Sequence, residues 1–281
     1  MTETKNIILV YRDKRFSPNS VEKDKAILDA VGHELQQSGI QVRYVAECEI
    51  TGPLDADGFL SMGRLDSTLS FLQQKEREGM LVVNGSQGVR DNTRVAFDHV
   101  LRKHQLPAAP LVEVGKVAAD SGKSFWLKCD EPSCNGKTPV VYADDVVELA
   151  GKLAAIQQQG RRQVVVTEHV DGSLLKFYGV QGTEFFRYFY PEDDETCAGE
   201  TASGSGGTHH PVLDEGLLRQ QADTLSRLMD VKIYGGDCIV RKDGSYAFID
   251  FNDWPSFSRC RLEAAKAIVS LVLSDQRIIK K

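Results

Sequence analysis

Three oxygen-bearing side chains fall within one stretch near the C-terminus, "GGDCIV" at 235–240 and "YAFIDFND" at 246–253. Both runs alternate like strands, and the intervening "RKDGS" carries an Asp-Gly pair, a hairpin signal. Period-2 alternation places Asp250 and Asn252 on one face, with Asp237 on the neighbouring strand able to lie opposite them. Three oxygen donors on one sheet face repel one another and stay desolvated unless a cation compensates them. Hard oxygen ligands that leave positions open for phosphate suit Mg²⁺. A strand Asp more often sits at an exposed end or against Lys or Arg, so the spacing alone leaves both readings open.

Other single charges stand among apolar residues. Lys128 interrupts the run "FWLKC", next to a small polar loop containing Gly136; it suits either a point charge on a phosphate or an edge lysine that snorkels to solvent. In "VVVTEHVDG" a strand runs into a turn, where backbone groups of Glu168, His169 and Val170 can read the edge of a nucleobase. Lys176 follows in "LLKFYG". Arg187, in "FFRYF", fits charge neutralisation during group transfer or a cation-π packing role. "GETASGSGGT" offers amides and hydroxyls to an anion or forms a plain turn. His209 and His210 beside it receive no ligand role.

The first third supplies a second basic group. "YRDKRFS" after the first strand contributes Arg12, Lys14 and Arg15, and "SMGR" contributes Arg64. Strand ends of open α/β sheets are where ligands bind, so Arg12, Arg15 and Arg64 are candidates for a small anionic substrate; solvated loops are the alternative.

The elements that must position these groups change character along the chain. Strands "NIILVY", "IQVRYVA", "DGFLSMG" and "MLVVNG" alternate with helices "SVEKDKAILDAVGHELQQSG" (Ser20 as N-cap, Gly39 as stop) and "LDSTLSFLQQKEREG", which indicates βαβ units and a parallel sheet. Residues 1–108 therefore read as a doubly wound α/β lobe, closed by a helix in "NTRVAFDHVLRKHQ" and the turn "LPAAP". Residues 109–170 read as a compact α+β lobe, and 171–281 as a second, with two hairpins, a helix near 214–229 and a closing helix in "RLEAAKAIVSLVLSDQRI". With 281 residues, 41% hydrophobic and 26% charged, the chain has the composition of a globular protein. Its net charge of −6 argues against a general nucleic-acid or membrane-surface binder. The five-residue run 7–11 is too short for a signal peptide or membrane span, so a cytoplasmic location is expected. Six cysteines without CxxC pairs fit free thiols.

The order Lys128 with its loop, "VTEHVDG", "KFYG", Arg187, "GSGGTHH", "GGDCIV" and "IDFNDWPS" resembles the ATP-grasp superfamily over essentially the whole chain. The first lobe resembles the lobe preceding that fold, and "VVNGSQGVRDNTRVAFDHVLRKHQLPAAP" is similar to its connecting segment. The resemblance implies ATP and Mg²⁺ as cofactors. Lys128 and Lys176 would then contact phosphates or ribose, Glu168, His169 and Val170 would hold adenine, and Asp237, Asp250 and Asn252 would hold Mg²⁺. It further implies a carboxylate-amine ligase acting through an acyl phosphate, for which Arg187 is the candidate catalytic cation read from its own setting. The first lobe is similar to that of peptide and glutamate ligases. Two departures stand out: Arg94 occupies a position where a lysine is usual, and Asp250 stands where ligases mostly have Glu, which is similar to the inositol trisphosphate kinase branch. A small-molecule kinase and a nucleotide-binding module without turnover are the alternatives. A homodimer is an expectation to which no residue is assigned.

Overall fold

The computed structural model describes residues 5–118, 121–130, 140–161, 163–195 and 210–279. Its first lobe contains β1 (Asn6–Tyr11), α1 (Val21–Gln37), β2 (Gln41–Ala46), β3 (Gly58–Ser61), α2 (Asp66–Arg77) and β4 (Leu81–Val83). The four strands form a parallel sheet in the order β2-β1-β3-β4. Because successive side chains face opposite sides, Ile7 and Leu9 enter one core and Ile8 and Val10 enter another. That is the doubly wound lobe expected from the sequence. Ser20 does precede α1, but its side chain makes no capping bond. Gly39 takes the left-handed conformation (φ 80°) that ends the helix, and Ile40 N donates to Leu35 O.

Two short helices, α3 (Ser86–Asp91) and α4 (Arg94–Lys103), lead out of this lobe. Thr93 Oγ accepts from Ala96 N, and Asp130 accepts from the amides of Arg94 and Val95. A carboxylate at a helix N-terminus satisfies orphan donors and faces the positive end of the dipole, so it fixes α4 to the next lobe.

The central lobe is a three-stranded antiparallel sheet, β6-β5-β7, made of β5 (Phe125–Cys129), β6 (Val140–Ala143) and β7 (Val164–Glu168), with α5 (Val146–Gln158) packed on it. The third lobe holds β8 (Ser173–Val180), β9 (Phe186–Phe189), α6 (Glu192–Glu195), α7 (Glu215–Leu228), β10 (Ile233–Val240), β11 (Tyr246–Asp253), α8 (Arg261–Ser274) and α9 (Gln276–Ile279). Its sheet is antiparallel, in the order β11-β10-β8-β9.

Residues 107–112 stitch the two antiparallel sheets together. Phe248 N of β11 donates to Pro107 O, Val112 N donates to Val166 O, and Glu168 N of β7 donates to Pro110 O. The segment near the anticipated boundary at 108 is thus itself a strand-like strap between sheets.

The first lobe does not have a core to itself. Ile7, Leu9, Leu60 and Leu81 share one apolar cluster with Ile268 and Val272 of α8, and with Trp254 and Phe257 after β11. Fully burying each such side chain stabilises by about 1.5–3 kcal/mol, so β1, α1, β3 and β4 share one core with the C-terminal helix α8. No described helix is long and apolar enough to cross a membrane. Cys48, Cys238 and Cys260 are free thiols.

Candidate functional site

The opposed acids lie where the hairpin brings them. Asp237 of β10 is directly across from Asp250 of β11, and Asn252 is across from Gly235. Beyond that pair the register slips: Cys238 faces Phe248, which leaves Ile249 as an extra residue, a β-bulge. The turn that closes this hairpin is built by Gly244 (φ 82°), whose N–H donates to Arg241 O.

Asn252 Nδ2 donates to Asp250 Oδ2 at 3.1 Å. Asp237 is bound by Lys176 Nζ through both carboxylate oxygens, at 3.0 and 2.9 Å, because Lys176 is its partner on β8. Burial pushes the Asp237 carboxyl up, while Lys176 pulls it back and Asp250 adds to the rise. Among the described residues no group of three or more His, Cys, Asp or Glu converges. The donor set here is two carboxylates and one amide oxygen. Those hard oxygens, with Lys176 on Asp237 and Lys128 beside Asp250, fit a small divalent cation that keeps further positions for other ligands.

Lys128 reaches the same place from the other sheet. Its side chain crosses the cleft and its Nζ donates to Ile249 O, the carbonyl of the bulge residue. Burial lowers the Lys128 pKa and Asp250 counteracts it, while Arg94 lowers it further. Arg94 NH1 donates to Cys129 O at 2.6 Å, and its side chain borders the cleft.

Between the sheets lies a cavity of about 350 Å³. Lys128, Asp237 and Asp250 form its charged wall; Val140, Leu174 and Ile239 give it an apolar floor. Its rim is the turn 168–170. The amides of Glu168 and His169 are taken by Pro110 O and Ser124 O, whereas Val170 N–H meets no partner among the described residues. Glu168 also binds Lys123 through its carboxylate.

A second cavity, about 330 Å³, shares Asp237 and Asp250 with the first. Asn252, Lys176, Tyr178, Arg12, Arg64 and Asp253 line it. Burial and then the Asp237 charge raise the Tyr178 hydroxyl to about 12, so it stays a neutral donor. Arg12 is saturated: Nε donates to Met62 O, NH1 to Asp24, and NH2 to the carbonyls of Asp253 and Trp254. Asp253 is buried, which alone would raise its pKa, yet Arg64 and Arg12 together hold it below the usual carboxylate value. Glu47 arranges the loops that carry both arginines, accepting from the amides of Asp13, Arg64 and Leu65.

Two anticipated site residues lie elsewhere. Arg15 is exposed and paired with Asp13, outside both cavities. Arg187 binds Glu263 of α8 and stands 5.7 Å from the Phe185 ring, again lining neither cavity. Of its two sequence-level readings, the packing role is the one its contacts match. Arg12 lines the second cavity, but as a frame rather than a free cation. The small loop after Lys128 and the glycine-rich loop 199–207 lie outside the described residues.

Some contributors escaped sequence reasoning. Trp126 lies two residues before Lys128, on the same face, and packs with Tyr142 (5.0 Å between centroids) and His169 (6.3 Å) at the cavity rim. Its indole N–H donates to His169 Nδ1 at 3.0 Å. Period-2 alternation in "FWLKC" carries that signal. Asp253 and Asp24 gave none, since their arginine partners are remote in the chain.

Comparisons with protein-family profiles and with curated protein sequences give no match. Solved structures do match over nearly their whole length. A D-alanyl-alanine synthetase A from Vibrio cholerae superposes with a TM-score of 0.67 at 12% identity, covering 100% of both chains. A D-alanine–D-alanine ligase from Bacillus anthracis complexed with ATP gives 0.67 at 12% identity, covering 99% of each. A RimK domain ATP-grasp protein from Sphaerobacter thermophilus gives 0.64 at 14% identity, covering 96% of this chain and 100% of that one. With a parallel-sheet lobe followed by two antiparallel sheets that face each other across a cleft, this chain has the ATP-grasp fold.

Proposed function

We propose that the chain is an ATP- and Mg²⁺-dependent carboxylate-amine ligase. The observation that carries this reading is that two cavities, one apolar-floored and one polar, meet at the single acid pair Asp237/Asp250. The first would take a nucleotide, with its base on Val140, Leu174 and Ile239 near the Val170 amide and its phosphates toward Lys128. The acceptor fits the second. Asp237, Asp250 and Asn252 would hold Mg²⁺, which would supply charge to offset that of the phosphates. Ligases recur among the similar folds, including the ATP-grasp ligase PsnB complexed with its minimal precursor, at 12% identity and a TM-score of 0.61.

The chemistry asks little covalent work of the protein. A substrate carboxylate oxygen attacks the γ-phosphorus, the bond to the β-γ bridging oxygen breaks, and ADP leaves. An amine nitrogen then attacks the acyl carbon of the acyl phosphate, loses a proton and expels inorganic phosphate. Lys128 offsets charge on the transferring group, Lys176 holds Asp237 in place, and closeness of the two cavities supplies the alignment. No nucleophilic side chain is needed.

Hydroxylamine traps acyl phosphates as hydroxamates. Purified protein with ATP, Mg²⁺, hydroxylamine and a panel of carboxylates is expected to release ADP and form a hydroxamate. ADP release with a phosphorylated hydroxyl compound and no hydroxamate would replace the ligase by the kinase that Asp250 keeps open. ATP binding without either product would leave a nucleotide-binding module.

A further inference from the structure

Arg64, Asp253 and Trp254 share a property. Among the described residues, Arg64 Nε, Asp253 Oδ2 and Trp254 Nε1 are buried polar atoms without a hydrogen-bond partner, and all three residues line the second cavity. Buried polar groups are nearly always paired, because an unmade bond costs free energy. Three of the four such atoms among the described residues belong to this one wall, the fourth being Arg261 Nε. Trp254, on this wall, adopts the left-handed conformation at φ 41°.

The charges around this corner differ in what they offer. Arg12 and Asp24 are paired and buried, and Asp253 is only 1% exposed in its side chain. Arg64 is 33% exposed and spends one guanidinium nitrogen, NH2, on Asp253. Among the described residues the rest of its planar fork meets no acceptor, and such a fork matches a carboxylate or phosphate edge. A ligand entering the cavity therefore meets a guanidinium before it meets any carboxylate of the cluster.

Placement fixes the ligand further. Asp253 is three residues beyond Asp250 on β11, roughly 10 Å at the usual strand rise. The reacting end of an acceptor belongs beside Asp250, whereas Arg64 is anchored through Asp253 at the other end of that stretch of the cavity wall. Resting on the ligase reading above, we propose that the acceptor carries a second anionic group, carboxylate or phosphate, several bonds from its reacting carboxylate, and that Arg64 binds it. Arg12, Asp24 and Asp253 are the frame that positions Arg64.

The test pairs glutarate and adipate with valerate and hexanoate, the monoacids of equal carbon number, and adds 3-phosphonopropionate as the phosphate-type arm. Hydroxamate formation with ATP and Mg²⁺ is measured for the native chain, Arg64→Gln and Arg64→Lys. Thermal shift with each acid alone supplies a readout independent of turnover, and ATP affinity checks that each variant keeps its nucleotide cavity. The expected result is kcat/KM at least 10-fold higher for a doubly anionic acid than for its singly charged match. Arg64→Gln should raise KM for that acid at least 10-fold with kcat within about threefold, and Arg64→Lys should fall between. A thermal shift by glutarate, adipate or 3-phosphonopropionate that Arg64→Gln abolishes, without any hydroxamate, supports the anion site and overturns the ligase reading instead. Equal use of singly and doubly charged acids, or an Arg64→Gln variant with unchanged KM and thermal shift, overturns the inference while leaving the ligase reading intact.

Discussion

Lys128 stands where two demands on one ammonium group conflict. Burial lowers its pKa below the ordinary lysine value of 10.5, while Asp250 and Asp237 draw it back up. A phosphate binds the protonated form, so ATP affinity should fall as pH rises through the lowered Lys128 value, beginning below 10.5. Replacing it by Arg, which keeps its charge, should move that loss to higher pH; Lys128→Ala should weaken ATP about 10- to 100-fold at neutral pH, some 1.4–2.8 kcal/mol. Titration calorimetry from pH 7 to 10 measures both, and an unchanged pH profile for the arginine variant would remove the phosphate role. Asp250→Ala should cut Mg²⁺-dependent ADP release by about 100-fold or more with the melting temperature unchanged or higher, since one of two opposed carboxylates is gone. Full turnover would refute the metal assignment. That Asp237 lies across from Asp250 was legible in the sequence because alternation and a strong turn are local signals. The sequence did not distinguish Arg12, whose partners Asp24 and Asp253 lie 12 and 241 residues away, from the exposed Arg15 beside it. Arg187 looked catalytic among its aromatic neighbours, yet Glu263, remote in the chain, is what holds it.

Elements place these residues through devices of different legibility. The β10-β11 hairpin follows from Asp243-Gly244 and period-2 patterning. The bulge at Ile249, which turns a carbonyl to Lys128, leaves no composition signal, since any residue can be the extra one. The strap 107–112 likewise reads as a turn in "LPAAP", while its amides and carbonyls in fact join β7 and β11. Glu47 is the clearest test of element placement. One buried carboxylate accepts from three amides in the loops after β1 and β3, the loops that carry Arg12 and Arg64. Glu47→Ala should destabilise the protein by about 2–4 kcal/mol, because orphaned amides lose their acceptor, and Glu47→Gln by less. Denaturant unfolding measures this; a cost below about 0.5 kcal/mol would show that these loops are held by something else.

At the scale of the whole molecule, three sheets were legible as three segments, but their union was not. Packing of α8 against α1 and β1 joins the chain's two ends in one core, and that contact has no local pattern to announce it. The consequence for function is geometric. Because α8 and the strained corner at Trp254 tie the first lobe to the third, the polar cavity is held beside the acid pair rather than left to a floating lobe. The central claim, that Asp237, Asp250 and Asn252 hold the cation where nucleotide and acceptor meet, is most directly tested by a crystal structure with a non-hydrolysable ATP analogue and Mn²⁺. The account predicts an anomalous peak within about 2.5 Å of oxygen atoms of all three residues, with the base against Val170 and the phosphates at Lys128. Nucleotide bound away from the cavity between the two antiparallel sheets, or bound there with no peak at Asp237, Asp250 and Asn252, would contradict it.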